Sequence, residues 1–311
     1  MSVENKESNF ISAVAYLHDE AALVKPFLER VCGALGARFK QFEVIVVNDA
    51  SRDGGVEAVR EFVQSSEWTM PVTVVNMSVY QGIEMCMNAG MDLAIGDFVF
   101  EFDTLELPDD PALLDTAYDT ALTGYDIVSV CPQKNRGGFS SLFYGVFNRF
   151  SRSRYAIGTD IFRVVSRRAI NRVHAICGTA FYRKAAYAAS GLRMKTLRVP
   201  AAGGQAANKP LRLSIALDSL ALYTDAGYKL SCGVAGLMLL ATLAELVYTL
   251  AIFLGGGHPV EGWTTTMLVL TAGFFGVFLI LAVVLKYLSL LVDLAFRHQR
   301  YLVESIEKLQ K

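Results

Sequence analysis

Residues Gly96–Asp103 read G-D-F-V-F-E-F-D, and the fold predicted for the chain follows from this stretch. Its apolar, aromatic run suits a short buried strand. The run ends in Glu101 and Asp103, and Glu106 follows closely. Parallel sheets bind ligands at the carboxyl ends of their strands, where carboxylates suit a cation that bridges phosphates. The alternative for this stretch alone is a strand that leads into a solvated acidic loop.

Short apolar runs alternate with helical stretches around this strand. The predicted strands are Phe10–Tyr16, Phe42–Val47, Val72–Met77, Phe98–Phe102 and Ile127–Val130. The predicted helices are Glu20–Leu35, Val56–Ser65, Gly82–Ala94 and Pro111–Thr123. Alternation of this kind is typical of a mostly parallel sheet with helices on its faces. We therefore expect an α/β fold with a ligand site where the first four strands end.

The formal net charge of −1 conceals an uneven distribution of charged residues. Residues 1–132 contain 7 Lys and Arg against 22 Asp and Glu, whereas residues 133–212 contain 16 against a single acid, Asp160. We therefore predict that an acidic unit, residues 1–132, is followed by a basic one, residues 133–212. The five cysteines form no C-x-x-C pair, which argues against a zinc site or a disulfide framework and fits a reducing compartment. The polar N-terminus predicts no signal peptide.

Two long apolar segments lie near the C-terminus, at Leu230–Leu254 and Trp263–Leu285. Each can cross a hydrocarbon core, which takes about 20 residues. Lys and Arg flank the pair on its outer sides, whereas the connector Gly255–Gly262 contains neither. The positive-inside rule then predicts a membrane hairpin with both termini and the N-terminal domain in the cytoplasm. We expect Glu245, inside the first span, to be protonated or paired, with a neighbouring subunit of a homo-oligomer as one partner.

An aromatic helical face is predicted at Phe139–Phe150, and Arg149 and Arg152 lie at its end. Rings bordered by arginines are typical of an interfacial helix that contacts membrane lipid. An ordinary amphipathic helix packed on the sheet is the alternative. The scarcity of acids through residue 212 favours the membrane surface.

The second predicted strand leads into V-N-D-A-S-R-D-G, which contains Asp49, Ser51 and Asp53. Such a turn before a helix could be only an N-cap, because these side chains accept hydrogen bonds from free backbone N–H groups. A carboxylate there can also accept from a uracil imide or a ribose hydroxyl. Glu20 follows the first strand at the same edge, so several strand ends carry acids together. Acids at several strand ends on one edge are harder to explain as caps than any one of them alone, and both interpretations stay open at this point.

The order of these motifs resembles that of family 2 GT-A glycosyltransferases. A strand ending in an acid is followed by V-N-D-A-S-R-D, by Gly82 and A-G-M-D-L-A-I-G-D, and by the carboxylate strand. The C-terminal half, with F-R-V-V-S-R-R and two spans, is similar to polyprenyl-phosphate glycosyltransferases such as dolichol-phosphate mannose synthases and undecaprenyl-phosphate glucosyltransferases. The resemblance covers nearly the whole chain. It implies a nucleotide-sugar-binding half of a GT-A domain at 1–132, an acceptor and membrane-interface segment at 133–229, and two transmembrane helices with a cytoplasmic tail at 230–311.

This resemblance also implies roles for single residues. Glu20 and Asp49 match acids that hold the nucleotide, and Gly82 lies in the motif that follows them. Asp103 matches the first carboxylate of the metal-binding D-x-D motif. Arg163 matches an arginine of the acceptor-loop region. The family implies a nucleotide-sugar donor, Mg²⁺ or Mn²⁺, and a polyprenyl phosphate acceptor.

Two positions depart from the pattern of this family. Asn48 stands where two adjacent acids are usual, and the second carboxylate of D-x-D falls on Leu105. Glu101, on the same face of an extended strand as Asp103, could substitute, and Glu106 is another candidate. The predicted metal ligands are therefore Asp103 with Glu101 or Glu106.

We predict metal-assisted transfer of a sugar from a UDP- or GDP-sugar to the polyprenyl phosphate, with Asp103, Glu101 and Arg163 as catalytic residues. An ionised phosphate oxygen needs little help from a general base. Arginine forks suit its oxygens, although attraction to anionic lipid headgroups explains each arginine equally well. The candidates are Arg136, Arg149 and Arg152, with Arg163 and Arg168 next.

Two other functions stay open from the sequence. One is a membrane-tethered glycosyltransferase that acts on a glycan or protein hydroxyl and needs a base. The other is a non-catalytic scaffold with a decayed sugar-nucleotide site, which Leu105 motivates. No G-x-G-x-x-G follows the first strand and no Walker pattern occurs, which disfavours an oxidoreductase or an ATPase. Nucleic-acid binding is disfavoured because the aromatic residues of the basic segment form one apolar face.

Overall fold

A computed structural model describes residues 6–110, 112–133, 144–145, 147–149, 155–177, 182–200, 226–255, 262–296 and 301–309 of the 311-residue chain. The chain divides into two compact units. The first comprises Met1–Ala216 together with Arg297–Lys311, and the second comprises Leu217–Phe296.

The first unit is built on an eight-stranded sheet. Its strands are β1 (Ile11–Leu17), β2 (Phe42–Asn48), β3 (Val72–Met77), β4 (Phe98–Phe102), β5 (Ile127–Pro132), β6 (Phe162–Ser166), β7 (Met194–Val199) and β8 (Val303–Leu309). Its helices are α1 (Ala21–Arg38), α2 (Gly55–Ser65), α3 (Ile83–Leu93), α4 (Leu113–Leu122), α5 (Arg167–Cys177) and α6 (Arg183–Ala189). The strand order is β7-β5-β6-β4-β1-β2-β3-β8.

Parallel pairing predominates in this sheet. Strand β1 pairs in parallel with β2 and β4, β2 with β3, and β5 with β7. Strand β6 is antiparallel to both β4 and β5, and β8 is antiparallel to β3. The carboxyl ends of β1 to β5 and β7 therefore share one edge of the sheet. The predicted α/β fold with a mostly parallel sheet is confirmed.

Helices cover both faces of the sheet. On one face, α1, α2 and α4 pack against alternate strand residues in a hydrophobic core that includes Phe27, Phe100 and Phe102. On the opposite face, α3 packs against β1 and β2. A Cβ atom at Gly90 would clash with Val14 and Val47, so glycine permits the close approach of α3. Glu101 pairs with Val14 across β4 and β1, and this second face is therefore the one that carries the charged cluster described below.

The strands and helices predicted before residue 132 are all present, with ends within three residues of those expected. The sequence did not reveal β6, β7 or β8. Each of these strands interleaves apolar residues with charged ones, as in M-K-T-L-R-V of β7 and V-E-S-I-E-K-L of β8. Alternating apolar and charged residues suit a strand with one face exposed to solvent. In such short segments, however, the apolar residues are too few to identify a strand. Part of the basic segment, and of the tail, therefore completes the sheet.

The second unit consists of helices α7 (Ala226–Leu254) and α8 (Trp263–Phe296). Segments Gly233–Ile252 and Thr265–Leu285 are long and apolar enough to cross a membrane, as predicted. Their large side chains are exposed, with Leu240 at 68% and Ile280 at 63%. A core helix of a soluble protein would bury such residues, so the pair is a candidate membrane hairpin.

The predicted interfacial helix at Phe139–Phe150 lies mostly outside the described residues. Of its aromatic residues, Tyr144 and Phe147 are described, and both are buried. The membrane contact of this segment stays a prediction.

Candidate active site

Three loops that follow β1, β2 and β3 meet at one edge of the sheet, which we call the β1–β3 rim: residues 18–20, 48–53 and 76–82. Asp49 lies at its centre and is fully buried. Its carboxylate accepts hydrogen bonds from the backbone N–H groups of Gln81 (2.7 Å) and Gly82 (2.8 Å) and from the hydroxyl of Tyr16 (2.9 Å). Burial, and then the charge of Asp49, raise the pKa of Tyr16, so this hydroxyl stays a neutral donor. Asp49 therefore fixes the relative position of two loops.

Three residues of the rim have backbone conformations that are rare for L-residues: Asp19 (φ +51°), Ala50 and Gly82. Gly82 has φ +85° and ψ 162°, a region that is essentially restricted to glycine. Ala50 has φ +53°, which costs on the order of 1–3 kcal/mol for a residue with a Cβ. The N–H of Ser51 donates to Asn48 Oδ1 at 3.0 Å and helps to hold this conformation. Such strain is concentrated at functional sites.

The other residues predicted to bind the nucleotide lie on the same rim. Glu20 directly precedes α1 and is half-buried. Ser51 Oγ accepts a backbone N–H from the loop after β1 at 3.2 Å. Asp53 accepts the backbone N–H groups of Ala21 (2.6 Å) and Gly55 (3.1 Å), so it caps the starts of two helices. The structure thus brings these residues together with Asp49 and Gly82, and Asp53 also serves as the predicted cap.

A second group of charged side chains lies at the end of β4, and we call it the arginine cluster: Glu84, Glu101, Asp103, Arg163 and Arg183. Arg183 donates to Glu84 at 3.0 Å, to Glu101 at 2.9 Å and to Asp103 at 2.7 Å. Arg163 contacts Glu101 at 3.1 Å and donates to Asp103 at 2.5 Å. Both arginine side chains are at most 2% exposed. Two guanidinium groups therefore neutralise most of the charge of three carboxylates.

The cluster holds its charges in the ionised state. Burial raises the pKa of Asp103, but the charges of Arg163 and Arg183 outweigh it and hold this pKa well below its usual range. Burial lowers the pKa of each arginine, and the charge of Asp103 more than reverses the effect. Asp103 is 16% exposed, more than either glutamate of the cluster. Among the carboxylates of the cluster, Asp103 is therefore the most accessible to solvent.

Glu101 is enclosed by its partners. It is 0% exposed, one of its oxygens lies between Arg163 and Arg183, and the other accepts from the hydroxyl of Tyr187. Burial and the charge of Glu101 raise the pKa of Tyr187, which therefore remains a donor. This geometry favours a structural role for Glu101 over the predicted role as a metal ligand.

The described residues include no group of three or more His, Cys, Asp or Glu side chains arranged to hold a metal ion. A smaller set of protein ligands still fits a magnesium-like ion, which is bound by one or two carboxylates together with substrate phosphates. Glu106 Oε2 is buried and lacks a hydrogen-bond partner among the described residues. Leu105, where a second carboxylate was missing, belongs to the hydrophobic core. Asp103, which is partly exposed, and Glu106 are therefore the candidate ligands for a divalent cation.

The arginines predicted for the acceptor phosphate are separated by the structure. Arg163 is buried in the cluster, whereas Arg149 is exposed. Arg168 pairs with Asp126 at 2.5 Å at the opposite edge of the sheet, apart from Arg163, and its role at the acceptor phosphate stays a prediction. Arg136 and Arg152 lie outside the described residues.

Sequence reasoning missed two residues of the cluster, Glu84 and Arg183, and also Tyr187, which donates to Glu101. The segment F-Y-R-K-A, which includes the start of α6, gives no periodic signal, and Arg183 is one of many basic residues in this half of the chain. The only signal in the sequence was indirect. A carboxylate such as Glu101 inside a buried strand needs a cationic or hydrogen-bonding partner.

Comparison with known proteins gives the family. The profile of glycosyl transferase family 2 matches residues 12–189, more than half of the chain. An uncharacterized glycosyltransferase of Synechocystis sp. is 26% identical over 312 residues, covering 96% of each chain. The undecaprenyl-phosphate 4-deoxy-4-formamido-L-arabinose transferase of Aeromonas hydrophila is 27% identical over 134 residues, which span 43% of this chain and 40% of the relative.

Among solved structures, a mannosyltransferase from Pyrobaculum calidifontis in complex with GDP-Man and Mn²⁺ matches with a TM-score of 0.48 and 20% identity. That match covers 62% of this chain and 55% of the mannosyltransferase. The glucosyl-3-phosphoglycerate synthase of Mycobacterium tuberculosis, in complex with Mn²⁺ and UDP-glucose, gives a TM-score of 0.47 with 17% identity over 68% of this chain and 78% of the synthase. The family profile spans β1 to α6, the mostly parallel sheet with helices on both faces is of the GT-A type, and the chain belongs to glycosyl transferase family 2.

Proposed function

We propose that this glycosyltransferase moves a sugar from a UDP- or GDP-sugar to a polyprenyl phosphate. The observation that carries the proposal is the position of Asp103. It is a partly exposed, ionised carboxylate at the carboxyl end of β4, held by two buried arginines beside the β1–β3 rim. The carboxylate suits a cation that binds the diphosphate of the donor. The arginines suit an anionic acceptor. The Aeromonas relative, whose name specifies undecaprenyl phosphate, supports the choice of acceptor.

The β1–β3 rim is proposed to bind the nucleotide. Its loops are rigid, because Asp49 joins them through neutral donors and Gly82 fixes the turn before α3. Tyr80 is 41% exposed on this rim, and its ring lies 4.6 Å from that of His18. An exposed aromatic ring provides a stacking surface for a base. Glu20 and Ser51 are then the polar residues proposed to contact the ribose and base.

Asp103 and Glu106 would hold the divalent cation. When bound, such an ion neutralises charge on the diphosphate leaving group. Arg163 and Arg183 orient Asp103 through both of its oxygens and keep it ionised. Their burial excludes water from the cluster, which strengthens these contacts. A carboxylate held in this way needs little reorganisation during the reaction.

The acceptor requires no protein base in this proposal. A phosphate monoester carries about −1.5 to −2 charges at neutral pH, so its oxygen is already a nucleophile. His18, the histidine on the rim, has its Nδ1 2.7 Å from the carbonyl oxygen of Asp49, which suits a structural role. The sugar-hydroxyl alternative would need a carboxylate free to accept a proton, and the low pKa of Asp103 disfavours that role.

Membrane attachment through α7 and α8 would keep the enzyme at its lipid substrate. The chain leaves the sheet unit before α7 and returns to it after α8, where β8 pairs with β3. Two spans between these points return the chain to its starting side. Together with the positive-inside rule, this supports a cytoplasmic sheet domain and cytoplasmic termini.

The test is a transfer assay on the full chain in detergent with undecaprenyl phosphate as acceptor. UDP- and GDP-hexoses are screened with Mg²⁺, with Mn²⁺ and with EDTA. We expect a glycosyl phospholipid from one donor class only, and loss of product with EDTA. Product with undecaprenol in place of its phosphate would support the hydroxyl-acceptor alternative. Nucleotide binding without transfer from any donor would support the scaffold.

A further inference from the structure

A cavity of about 400 Å³ lies between strands β5, β6 and β7 and helix α6, next to the arginine cluster. Among the charged residues of its lining, Arg163, Lys184 and Arg198 accompany a single carboxylate, Asp160. Lys195 also contributes to the wall, but its ammonium group lies 5.8 Å from the ring centroid of Tyr125. The cavity is therefore cationic, in contrast to the acidic β1–β3 rim.

Arg163 connects this cavity to the arginine cluster. Its Nη2 donates to Asp103, whereas Nη1 lies 3.6 Å from Asp160 and lacks a hydrogen-bond partner among the described residues. The side chain is 1% exposed. A buried donor without a partner costs about 1–3 kcal/mol, so this N–H group suits an acceptor that a ligand supplies.

Lys184 supplies the second charge in the cavity. Its Nζ donates to the carbonyl of Gly158 at 3.2 Å and lies 3.6 Å from Asp160. Burial lowers the pKa of Lys184, but the charge of Asp160 outweighs it, and the lysine stays cationic. Burial, followed by the charge of Asp160, raises the pKa of the Cys131 thiol, which donates to that carboxylate at 3.0 Å. Asp160 thus interacts with several donors. The positive charges in the cavity outnumber this single carboxylate.

We propose that this cavity binds the phosphate group of the acceptor, with Arg163, Lys184 and Arg198 contacting its oxygens. The identity of the acceptor rests on the proposed function, whereas the anion site rests on the cavity itself. Lys184, Lys195 and Arg198 outnumber Asp160 by two charges, which matches a phosphate monoester of about −1.5 to −2 charges, whereas the charge of Arg163 is already balanced within the arginine cluster and this residue offers its Nη1 as a donor. Because Arg163 contacts both Asp103 and the cavity, it places the phosphate beside the carboxylate of the donor side.

The size of the cavity supports a phosphate that carries an organic chain. Its volume of about 400 Å³ lies within the range of small-molecule pockets, about 300–1,000 Å³, and exceeds what a phosphate group alone needs. Apolar and aromatic side chains complete the lining: Pro132, Tyr144, Ile157 and Met194. The first isoprene unit of a prenyl phosphate fits such a wall.

The test uses geranyl phosphate, a short prenyl phosphate, and calorimetry on the full chain in detergent. The wild-type protein should bind geranyl phosphate and should not bind geraniol. Lys184→Gln should weaken the binding of geranyl phosphate at least tenfold. Lys25→Gln, which removes a 69% exposed charge on α1, is the matched control and should bind like the wild type. Inorganic phosphate should compete only weakly, because it lacks the chain.

Several outcomes would overturn the assignment: equal binding by Lys184→Gln, equal affinity for geraniol, or an equal loss of UDP or GDP binding, which would assign the cavity to the donor. Inorganic phosphate that binds as tightly as geranyl phosphate would overturn the part of the proposal that concerns the chain. Should Lys184→Gln fail to fold, Arg198→Gln decides, because Arg198 is exposed on β7. Geranyl phosphate binding without sugar transfer would refute the proposed function and leave the anion site standing. If Lys184→Gln transfers sugar with an unchanged KM for the acceptor, the anion site is refuted and the proposed function stands.

Discussion

Asp49 and Asp103 both follow strands of the same parallel set, yet their surroundings differ. Asp49 is fully buried and accepts three hydrogen bonds from neutral donors. Asp103 is partly exposed and accepts from two guanidinium groups. The carboxylate of Asp49 holds the backbone of two loops in place. The carboxylate of Asp103 takes part in a network of buried ion pairs. Acids at strand ends therefore have separate tasks even within one site.

The contrast extends to what each region tolerates. Neutral donors around Asp49 come from the backbone and from one tyrosine, so a change there disturbs loop geometry. The arginine cluster is a set of buried charges that stabilise one another, and removing one member leaves another charge buried without its partner. We expect the larger effects in the cluster, and the following predictions are ordered accordingly.

The largest effect is expected from Arg183→Met, which leaves Glu84, Glu101 and Asp103 with one guanidinium instead of two. Breaking a buried ion pair on one side costs about 3–5 kcal/mol. The free energy of unfolding of the sheet unit, measured by urea denaturation of the full chain in detergent, should fall by this amount. Lys25→Met is the control, because Lys25 is 69% exposed and its ion pair with Glu29 is 4.0 Å long.

Exposed ion pairs contribute about 0–1 kcal/mol, so the control should be nearly neutral. A second variant tests the cause of the loss. Adding Glu84→Gln to Arg183→Met removes one of the unpaired carboxylates and should recover part of the stability. If the double variant is no more stable than the single one, charge balance is not what Arg183 provides.

The next prediction compares the effects of Glu101, in β4, and Asp103, directly after it, on catalytic activity. Asp103→Asn should lower kcat about 10²-fold or more, because it removes a preorganised charge at the reacting end of the donor. Glu101→Gln should act mainly on stability, since Glu101 is enclosed by Tyr187 and the arginines. Transfer and thermal midpoints measured on both variants decide. A loss of metal dependence in Glu101→Gln, with normal stability, would restore Glu101 as a metal ligand.

The pH dependence of folding stability gives a further test of Asp103. Its pKa is lowered in the folded protein, so its ionised form contributes stability above the ordinary carboxyl pKa of about 3.9. That contribution is lost as the pH falls through the lowered value, because the unfolded chain takes up the proton first. The stability of Asp103→Asn should therefore fall less between about pH 5 and pH 2 than that of the wild type.

The sequence was informative for the β1–β3 rim and much less so for the cluster. Strand ends are readable because an apolar run and the polar residue after it are adjacent in the chain, as for Asp49 and Asp103. The partners of Asp103 come from β6 and from the start of α6, 60 and 80 residues away. Nothing in the spacing of Arg183 distinguishes it from its basic neighbours. Counter-ions of a buried carboxylate are a property of the tertiary fold.

The edge strand β8 was missed for a different reason. Its residues alternate V-E-S-I-E-K-L, which has the period of a strand, but it follows a long apolar helix and was assigned to a tail. Its pairing depends on the exposed edge of β3, which is a feature of the sheet and not of the segment. The membrane spans, in contrast, were readable because length and composition alone define them.

A smaller effect is expected at Asp49. In Asp49→Asn the amide NH₂ faces donors that the carboxylate had accepted, so at least one backbone N–H loses its partner. The cost is about 2–3 kcal/mol, and the loop with Gly82 should shift. The KM for the donor should rise about tenfold while the KM for the acceptor stays unchanged. Asp119→Asn, on the exposed side of α4, is the matched control. Equal changes in both KM values would contradict a role confined to the rim.

The smallest effect concerns the link between β8 and the rim. The side chain of Gln81 donates to the carbonyl of Leu302 at 2.7 Å and accepts its N–H at 2.8 Å, while the backbone N–H of Gln81 binds Asp49. The segment that returns from the helical unit therefore supports the loop that Asp49 holds. Gln81→Ala removes both side-chain hydrogen bonds and should cost about 1–2 kcal/mol.

Because the backbone N–H of Gln81 remains, its bond to Asp49 can still form, and we expect only a two- to fivefold rise in the donor KM with kcat preserved. Gln64→Ala, the same change at an exposed position of α2, should alter neither stability nor KM. If Gln81→Ala matches this control, β8 closes the edge of the sheet and nothing more. If it shifts the donor KM alone, the neutral network around Asp49 extends to the segment that follows the second span, whereas the arginine cluster does not depend on it.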